Sequence, residues 1–330
     1  MADRHAVPTV FRAALKADLE SIRGLIHLDE VTSLTAQGFD RSLASRHYRL
    51  EWTWIAEDDD TGDLLAVAIW WGAALGLTPG SLDALYVHES VGHGEPRTAL
   101  AAELLKAAHR AYAADPGLIE PPPYHVFVPS DWRDQPELIS DLTWRREAAA
   151  RAGLTEQLER LRYEWTAETG IPSPTGRVVF RDEPDDEVFV DVLARVVQGS
   201  LDSYTTAQAA EFGAELHARS DVEHYRDLMH GERSWWLIAA NQDGETVGFG
   251  IPSRNASEAV VGYLGVLPEH RGHGYIDEIL AQITRVLADE AEAGRVLADT
   301  DLGNKPMAAS FERVGYRNFA RRLVYSAKQA

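Results

Sequence analysis

The stretch Val266-Leu267-Pro268-Glu269-His270-Arg271-Gly272-His273-Gly274-Tyr275 joins two segments of different periodicity. Before it, Ala259 to Val266 reads as a strand. After it, Ile276, Ile279, Leu280, Ile283 and Leu287 repeat at i, i+3, i+4, i+7 and i+11, the apolar stripe of an amphipathic helix. The quoted residues are therefore a strand-to-helix turn. Gly272 and Gly274 let its backbone bend and approach a ligand closely. The N–H groups from Arg271 to Tyr275 then open a helix at the positive end of its dipole, a site for phosphate or diphosphate. Arg271 is expected to add a fixed positive charge at the rim.

Working outward, the chain repeats one plan. Trp52-Thr53-Trp54-Ile55-Ala56, an acidic turn near Gly62, and Leu65-Ala66-Val67-Ala68 match Trp235-Trp236-Leu237-Ile238-Ala239, Gly244, and Val247-Gly248-Phe249-Gly250. Both pairs read as β-hairpins. Val87 to Gly94 with the following helical stretch parallels Val266 to Gly274 with its own, and Gly153 precedes Tyr163 as Gly315 precedes Tyr325. Between the copies, residues 168–177 have the Pro, Gly, Ser and Thr composition of a linker. The expected division is 1–167, a linker at 168–177, and 178–330. Each copy is expected to be an α/β layer of the α+β type, with a mixed, mostly antiparallel sheet flanked by helices.

Composition sets outer limits. With 330 residues the chain is long enough for two cores. It has no cysteine, which excludes disulfides, thiolate metal sites and a cysteine nucleophile. A net charge of -20 argues against nucleic acid and anionic membranes as partners; it keeps the protein soluble, and it also favours cations such as protonated amines. Met1 to His5 does not open a basic-then-apolar leader, and the apolar run Leu64 to Leu77 is too short to span a bilayer, so a cytoplasmic location is expected. His270 and His273 have no further ligand at fixed spacing, so no metal is expected. Oligomeric state is not legible.

The pattern V-x-P-x-x-R-G-x-G of Val266 to Gly274, followed by Asn304 and by Phe311-Glu312-Arg313-Val314-Gly315-Tyr316, resembles the acyl-CoA signature of the GCN5-related N-acetyltransferase (GNAT) family. The clear match runs from about Trp235 to Ser326. With the internal repeat, it implies a tandem architecture of the kind found in mycothiol synthase, an altered first copy accompanying a working second one. The resemblance further implies acetyl-CoA as co-substrate and a primary amine as acceptor, attacked directly. A small molecule such as an amino sugar is the first candidate acceptor and a protein amine the second. A silent acyl-CoA-binding module is the alternative from another class.

Residue by residue, the resemblance places the diphosphate on Arg271, Gly272, His273, Gly274 and Tyr275, and the pantetheine arm along Leu264, Gly265 and Val266. Asn304 would hydrogen-bond that arm, or simply cap its helix. Phe311 stands where the family commonly has a Tyr that protonates the departing thiolate, and its ring carries no proton to give. Ser310, Tyr316 and Tyr325 are the candidate substitutes. Glu258, at the start of the strand, is the candidate base, acting through water; an exposed turn carboxylate is its plain reading. Asp202, Tyr204, Asp299 and Asp301 are candidates for the acceptor's ammonium. In the first copy, Val87 to Pro96 lacks the Arg and places Glu95 and Pro96 where N–H donors are needed. Catalysis is therefore expected from the second copy.

Overall fold

The computed structural model describes residues 8–26, 31, 34–115, 117–118, 120–255 and 257–328. Met1 to His5, read above for a leader, lies outside them. In chain order the elements are β1 (Thr9–Ala13), α1 (Leu19–Leu25), α2 (Ala36–Ala44), β2 (Thr53–Asp58), β3 (Leu64–Trp71), β4 (Ser81–Val87), α3 (Glu95–Tyr112), β5 (Tyr124–Pro129), α4 (Pro136–Arg151) and β6 (Glu156–Thr166). A similar order, with three helices in place of two after the first strand, then recurs as β7 (Val179–Asp182), α5 (Asp186–Val196), α6 (Ser203–Phe212), α7 (Ala214–Asp227), β8 (Leu237–Ala240), β9 (Thr246–Arg254), β10 (Ala259–Val266), α8 (Tyr275–Asp289), β11 (Arg295–Asp301), α9 (Lys305–Arg313) and β12 (Arg317–Ser326). Both expected hairpins are present, as β2–β3 and β8–β9.

Two compact units form, Met1–Glu159 with Arg321–Ala330, and Arg160–Ala320. They differ from a cut at the linker in two segments. Arg160–Thr166 of β6 precedes the linker yet belongs to the second unit, where it pairs antiparallel with β11, Arg160 opposite Asp301 and Thr166 opposite Arg295. Arg321–Ser326 of β12 belongs to the first. The strand order is β1-β2-β3-β4-β5-β12 in the first unit and β6-β11-β10-β9-β8-β7 in the second. Neighbours in the second run antiparallel except β10 and β11.

In the second unit the helices cover a sheet shaped to receive them. Ile279, Leu280, Ile283 and Leu287 of α8 are fully buried, as the stripe required. Burying each such side chain is worth about 1.5–3 kcal/mol. Gly248 and Gly250 of β9 leave the room: a Cβ there would sit 3.0 Å from Ile279 and from Ile283. The other layer packs Phe189, Val192 and Leu193 of α5 and Val222 of α7 with Trp236, Phe249 and Ile251.

Two irregularities of β10 position the site. Its register against β9 shifts between Val261 and Tyr263, a bulge at Gly262 whose carbonyl accepts a 2.7 Å hydrogen bond from the Tyr225 hydroxyl. Against β11 only Ala259 and Val260 are paired, opposite Val296 and Leu297, and the strands then part. No larger residue fits at Gly262, because a Cβ would lie 2.6 Å from the Ile251 carbonyl oxygen and 2.9 Å from the Tyr225 ring. Gly262→Ala is expected to cost about 1–3 kcal/mol by overpacking. Chemical denaturation measures it, and an unchanged midpoint would contradict the bulge's tight fit.

Candidate active site

The gap left where β10 and β11 part opens into a cavity of about 670 Å³ in the second unit. One end is the strand-to-helix turn. Gly272 and Gly274 have φ of 81° and 77°, a left-handed backbone that favours glycine, and Gly274 is the N-cap of α8. Among the described residues, no backbone carbonyl accepts from the N–H groups of Gly272, His273 or Gly274. These amides sit at the positive end of a fifteen-residue helix.

Arg271 plays a different part from the rim charge expected of it. Its Nε donates to the Val266 carbonyl at 3.1 Å, and its two terminal nitrogens donate to the carbonyls of Gln198 (2.6 Å) and Val196 (2.7 Å). The guanidinium thus ties the turn to the carbonyl end of α5, where a cation is favoured and carbonyls lack helical partners. A second cation, Arg177, reaches the turn from the segment before β7. It donates to the His273 carbonyl at 2.9 Å and pairs with Glu278 at 3.0 Å.

The middle of the cavity is lined by Leu264, Gly265 and Val266 along the free edge of β10, with Tyr275, Asn304 and Phe311 opposite. Asn304 caps α9, its Oδ1 accepting from the Met307 N–H at 3.3 Å. Phe311 is buried, its ring 4.9 Å from that of Tyr163 and 5.3 Å from that of Tyr316.

The other end is enclosed by Leu201 to Thr205, by α7 and by β10. Asp202 caps α6 by accepting from the Thr205 N–H at 2.9 Å. Its other oxygen is 3.1 Å from Arg160, which also lies 3.1 Å from Asp301. Asp299 is 3.1 Å from Arg162. On α7, Ser220, Asp221, His224 and Tyr225 turn one face toward the cavity. Asp221 has its carboxyl pushed up to about 7, first by burial and then by the charge of Asp202. His217, one turn earlier, places Nε2 3.4 Å from it. Burial holds that imidazole below its usual range, so it is neutral at pH 7.

Of the residues singled out in the sequence, Leu264, Gly265, Val266, Arg271, Gly272, Gly274, Tyr275, Asn304, Phe311, Asp202, Tyr204 and Asp299 line this cavity. The rest are placed elsewhere. His273 points away and stacks beside Tyr275. Asp301 is buried beneath the cavity, accepting from the Ser203 N–H at 2.6 Å. Glu258 sits at the far end of β10, paired with Arg295 at 3.4 Å. At about 3.3 Å per residue, it is roughly 20 Å along the strand from Leu264, out of reach of a base's work there. Tyr316 points into the core, its hydroxyl 2.7 Å from that of Thr284. Ser310 is fully buried on α9, and Tyr325 belongs to the first unit, beside Tyr124.

Asp221, Arg160 and Arg162 were missed. The spacing of His217, Asp221 and His224 on one helical face is the signal that marks Asp221. The two arginines precede the linker, and nothing in the sequence pairs their strand with β11.

Residues 201–316 match the model of the acetyltransferase (GNAT) family. No curated protein sequence gives a significant match. Among solved structures, a GCN5-related N-acetyltransferase from Sphaerobacter thermophilus is similar over 97% of this chain and 96% of its own, at 16% identity and a TM-score of 0.61. A tandem GNAT protein of the clavulanic acid biosynthesis pathway aligns over 98% and 99%, at 19% identity and a TM-score of 0.50. A glucosamine N-acetyltransferase region of a fungal multi-domain β-N-acetylglucosaminidase aligns over 98% of this chain and 38% of its own, at 15% identity and 0.55. At these identities the likeness to solved structures carries the fold, and the family model carries the site-bearing segment. The second unit therefore carries an acetyltransferase (GNAT) family segment, residues 201–316, the segment of an acyltransferase.

Proposed function

We propose that the second unit transfers an acetyl group from acetyl-CoA to the primary amine of a small molecule, by direct attack. One observation carries this reading: a single cavity joins a turn of unengaged amides, a free strand edge and a carboxyl group poised near neutrality.

Each part fits a piece of that reaction. The amides of Gly272 to Gly274 and the α8 dipole suit a diphosphate. The open edge of β10 suits the amide groups of a pantetheine arm, which can add as a further strand. A backbone N–H at Leu264 to Val266 would face the thioester oxygen, where negative charge develops. Asp221 would take the proton that the ammonium must lose before it attacks, and a base near 7 is matched to that task. Phe311 supplies no proton, so the departing thiolate would draw one from water, which a fair leaving group tolerates. An amino sugar, the acceptor named for the fungal region, is one member of this acceptor class.

The first unit supports a different role. Its corresponding turn also has glycines at positive φ, Gly92 and Gly94. The adjoining cavity is bordered by Glu95, Glu137, Asp141 and Glu147, with Glu95 at the start of α3. Carboxylates there oppose a diphosphate, so we assign the first unit a supporting role.

Two outcomes test the proposal. The rate of CoA release with an amine acceptor should rise with pH through about 7, because Asp221 acts in its deprotonated form and its carboxyl titrates there. In Asp221→Asn that limb should vanish, with kcat lower by about 10²–10⁴-fold. A retained limb would remove Asp221 from the role of base. Separately, Arg271→Glu both releases three carbonyls and puts a negative charge beside the turn. Calorimetry should show CoA affinity falling by more than about tenfold, and an unchanged affinity would contradict placing the diphosphate there.

A further inference from the structure

The acceptor end of the cavity holds more carboxylates than arginines. Asp202 and Asp301 share Arg160, and Asp299 has Arg162. Among the described residues, the one ion-pair neighbour of Asp221 is His217, which is neutral at pH 7. Asp221 is therefore the carboxylate of this end that no arginine holds. Some of the hydroxyls are engaged with the protein. Tyr225 donates to the Gly262 carbonyl at 2.7 Å, and the Tyr263 and Thr205 hydroxyls share a 3.4 Å contact. Between the charged groups the walls present ring and aliphatic surface from Leu201, Tyr204, Tyr225, Val261 and Tyr263. Leu201 and Tyr204, both lining the cavity, are 53% and 58% exposed at its mouth.

We propose that the acceptor is a primary monoamine with an apolar body about the size of one aromatic ring. Its ammonium lies at Asp221, and its body lies against Leu201, Tyr204 and Tyr263. This deepens the acetyl-transfer reading of the same cavity and rests on it. A hydroxyl-rich amine would bring polar groups against the Leu201 and Tyr204 surfaces, and buried hydroxyls without partners are disfavoured. A diamine's second cation would have to compete with Arg160 or Arg162 for Asp202, Asp299 and Asp301. An apolar body gains by covering Leu201 and Tyr204, in the usual manner of small-molecule sites with few polar groups and a large apolar lining.

The test is calorimetric titration of the full chain, with and without saturating CoA, using 2-phenylethylamine, 1,4-diaminobutane and glucosamine. Acetyl-CoA turnover is followed on the same three amines. Phenylethylamine should bind at least tenfold more tightly than either competitor. Tyr204→Ala should weaken it about fivefold or more with CoA affinity unchanged, and Asp221→Asn should weaken it further. Tighter binding of glucosamine or diaminobutane would overturn the proposal, as would absence of any amine binding at 10 mM or indifference to both substitutions. Turnover of glucosamine with poor use of phenylethylamine would sink the monoamine assignment and leave acetyl transfer standing. Failure of CoA to bind would sink the acetyl-transfer reading, while the amine titrations without CoA would still decide this one.

Discussion

The site exists because β10 and β11 stay paired for only two residues. Parallel neighbours in a covered sheet ordinarily run together, so that every N–H and C=O has a partner. Here pairing ends at Val260 and Leu297, and the backbone of Val261 to Val266 is left with one bonded edge and one open edge. The bulge at Gly262 bends the strand at that point, and the Tyr225 hydroxyl satisfies the carbonyl that the bulge turns out. An unpaired edge is a liability in most proteins and a binding surface when a ligand supplies the missing strand. The remaining features follow from this divergence. The turn of glycines ends the free edge, and α6 and α7 close the opposite side of the opening.

Charge inside the second unit is arranged to leave the opening selective. The chain is acidic by twenty charges, and at the cavity Asp202, Asp299 and Asp301 are paired with two arginines on β6. Arg160 and Arg162 come from sequence ahead of the linker, so the unit that bears the site is not the sequence after the linker alone. The cations at the turn serve structure first: Arg271 ties the turn to α5, and Arg177 holds it from the segment before β7. What remains for an anion is the partial charge of backbone amides at a helix start, which is fixed in place and needs no side chain to be ordered.

Much of this was legible in advance, and the gaps have physical causes. The turn at Val266 to Tyr275, both hairpins and the buried stripe of α8 are local patterns, so periodicity and glycine placement reveal them. Asn304 as a helix cap is equally local. Tertiary partners were hidden. Arg271 carries a charge that looks free in sequence, but two of the carbonyls it meets lie at the last residue of α5 and just past it, some seventy residues earlier. Glu258 shares a strand with the free edge but stands at its wrong end. Asp221 lies on a helix rich in charged residues, which reads as a solvated face until the fold turns it toward the cavity. The exchange of strand segments between the two units pairs residues more than 130 positions apart, as Arg162 with Asp299, and no local pattern announces it.

The account is tested most directly by amide hydrogen exchange of the full chain with and without CoA. It predicts new protection confined to the free edge of β10 at Leu264 to Val266 and to the turn at Gly272 to Ile276, with the glycine turn at Gly92 to Glu95 unaffected. Protection at Gly92 to Glu95 in place of those segments, or none at the β10 edge, would contradict it.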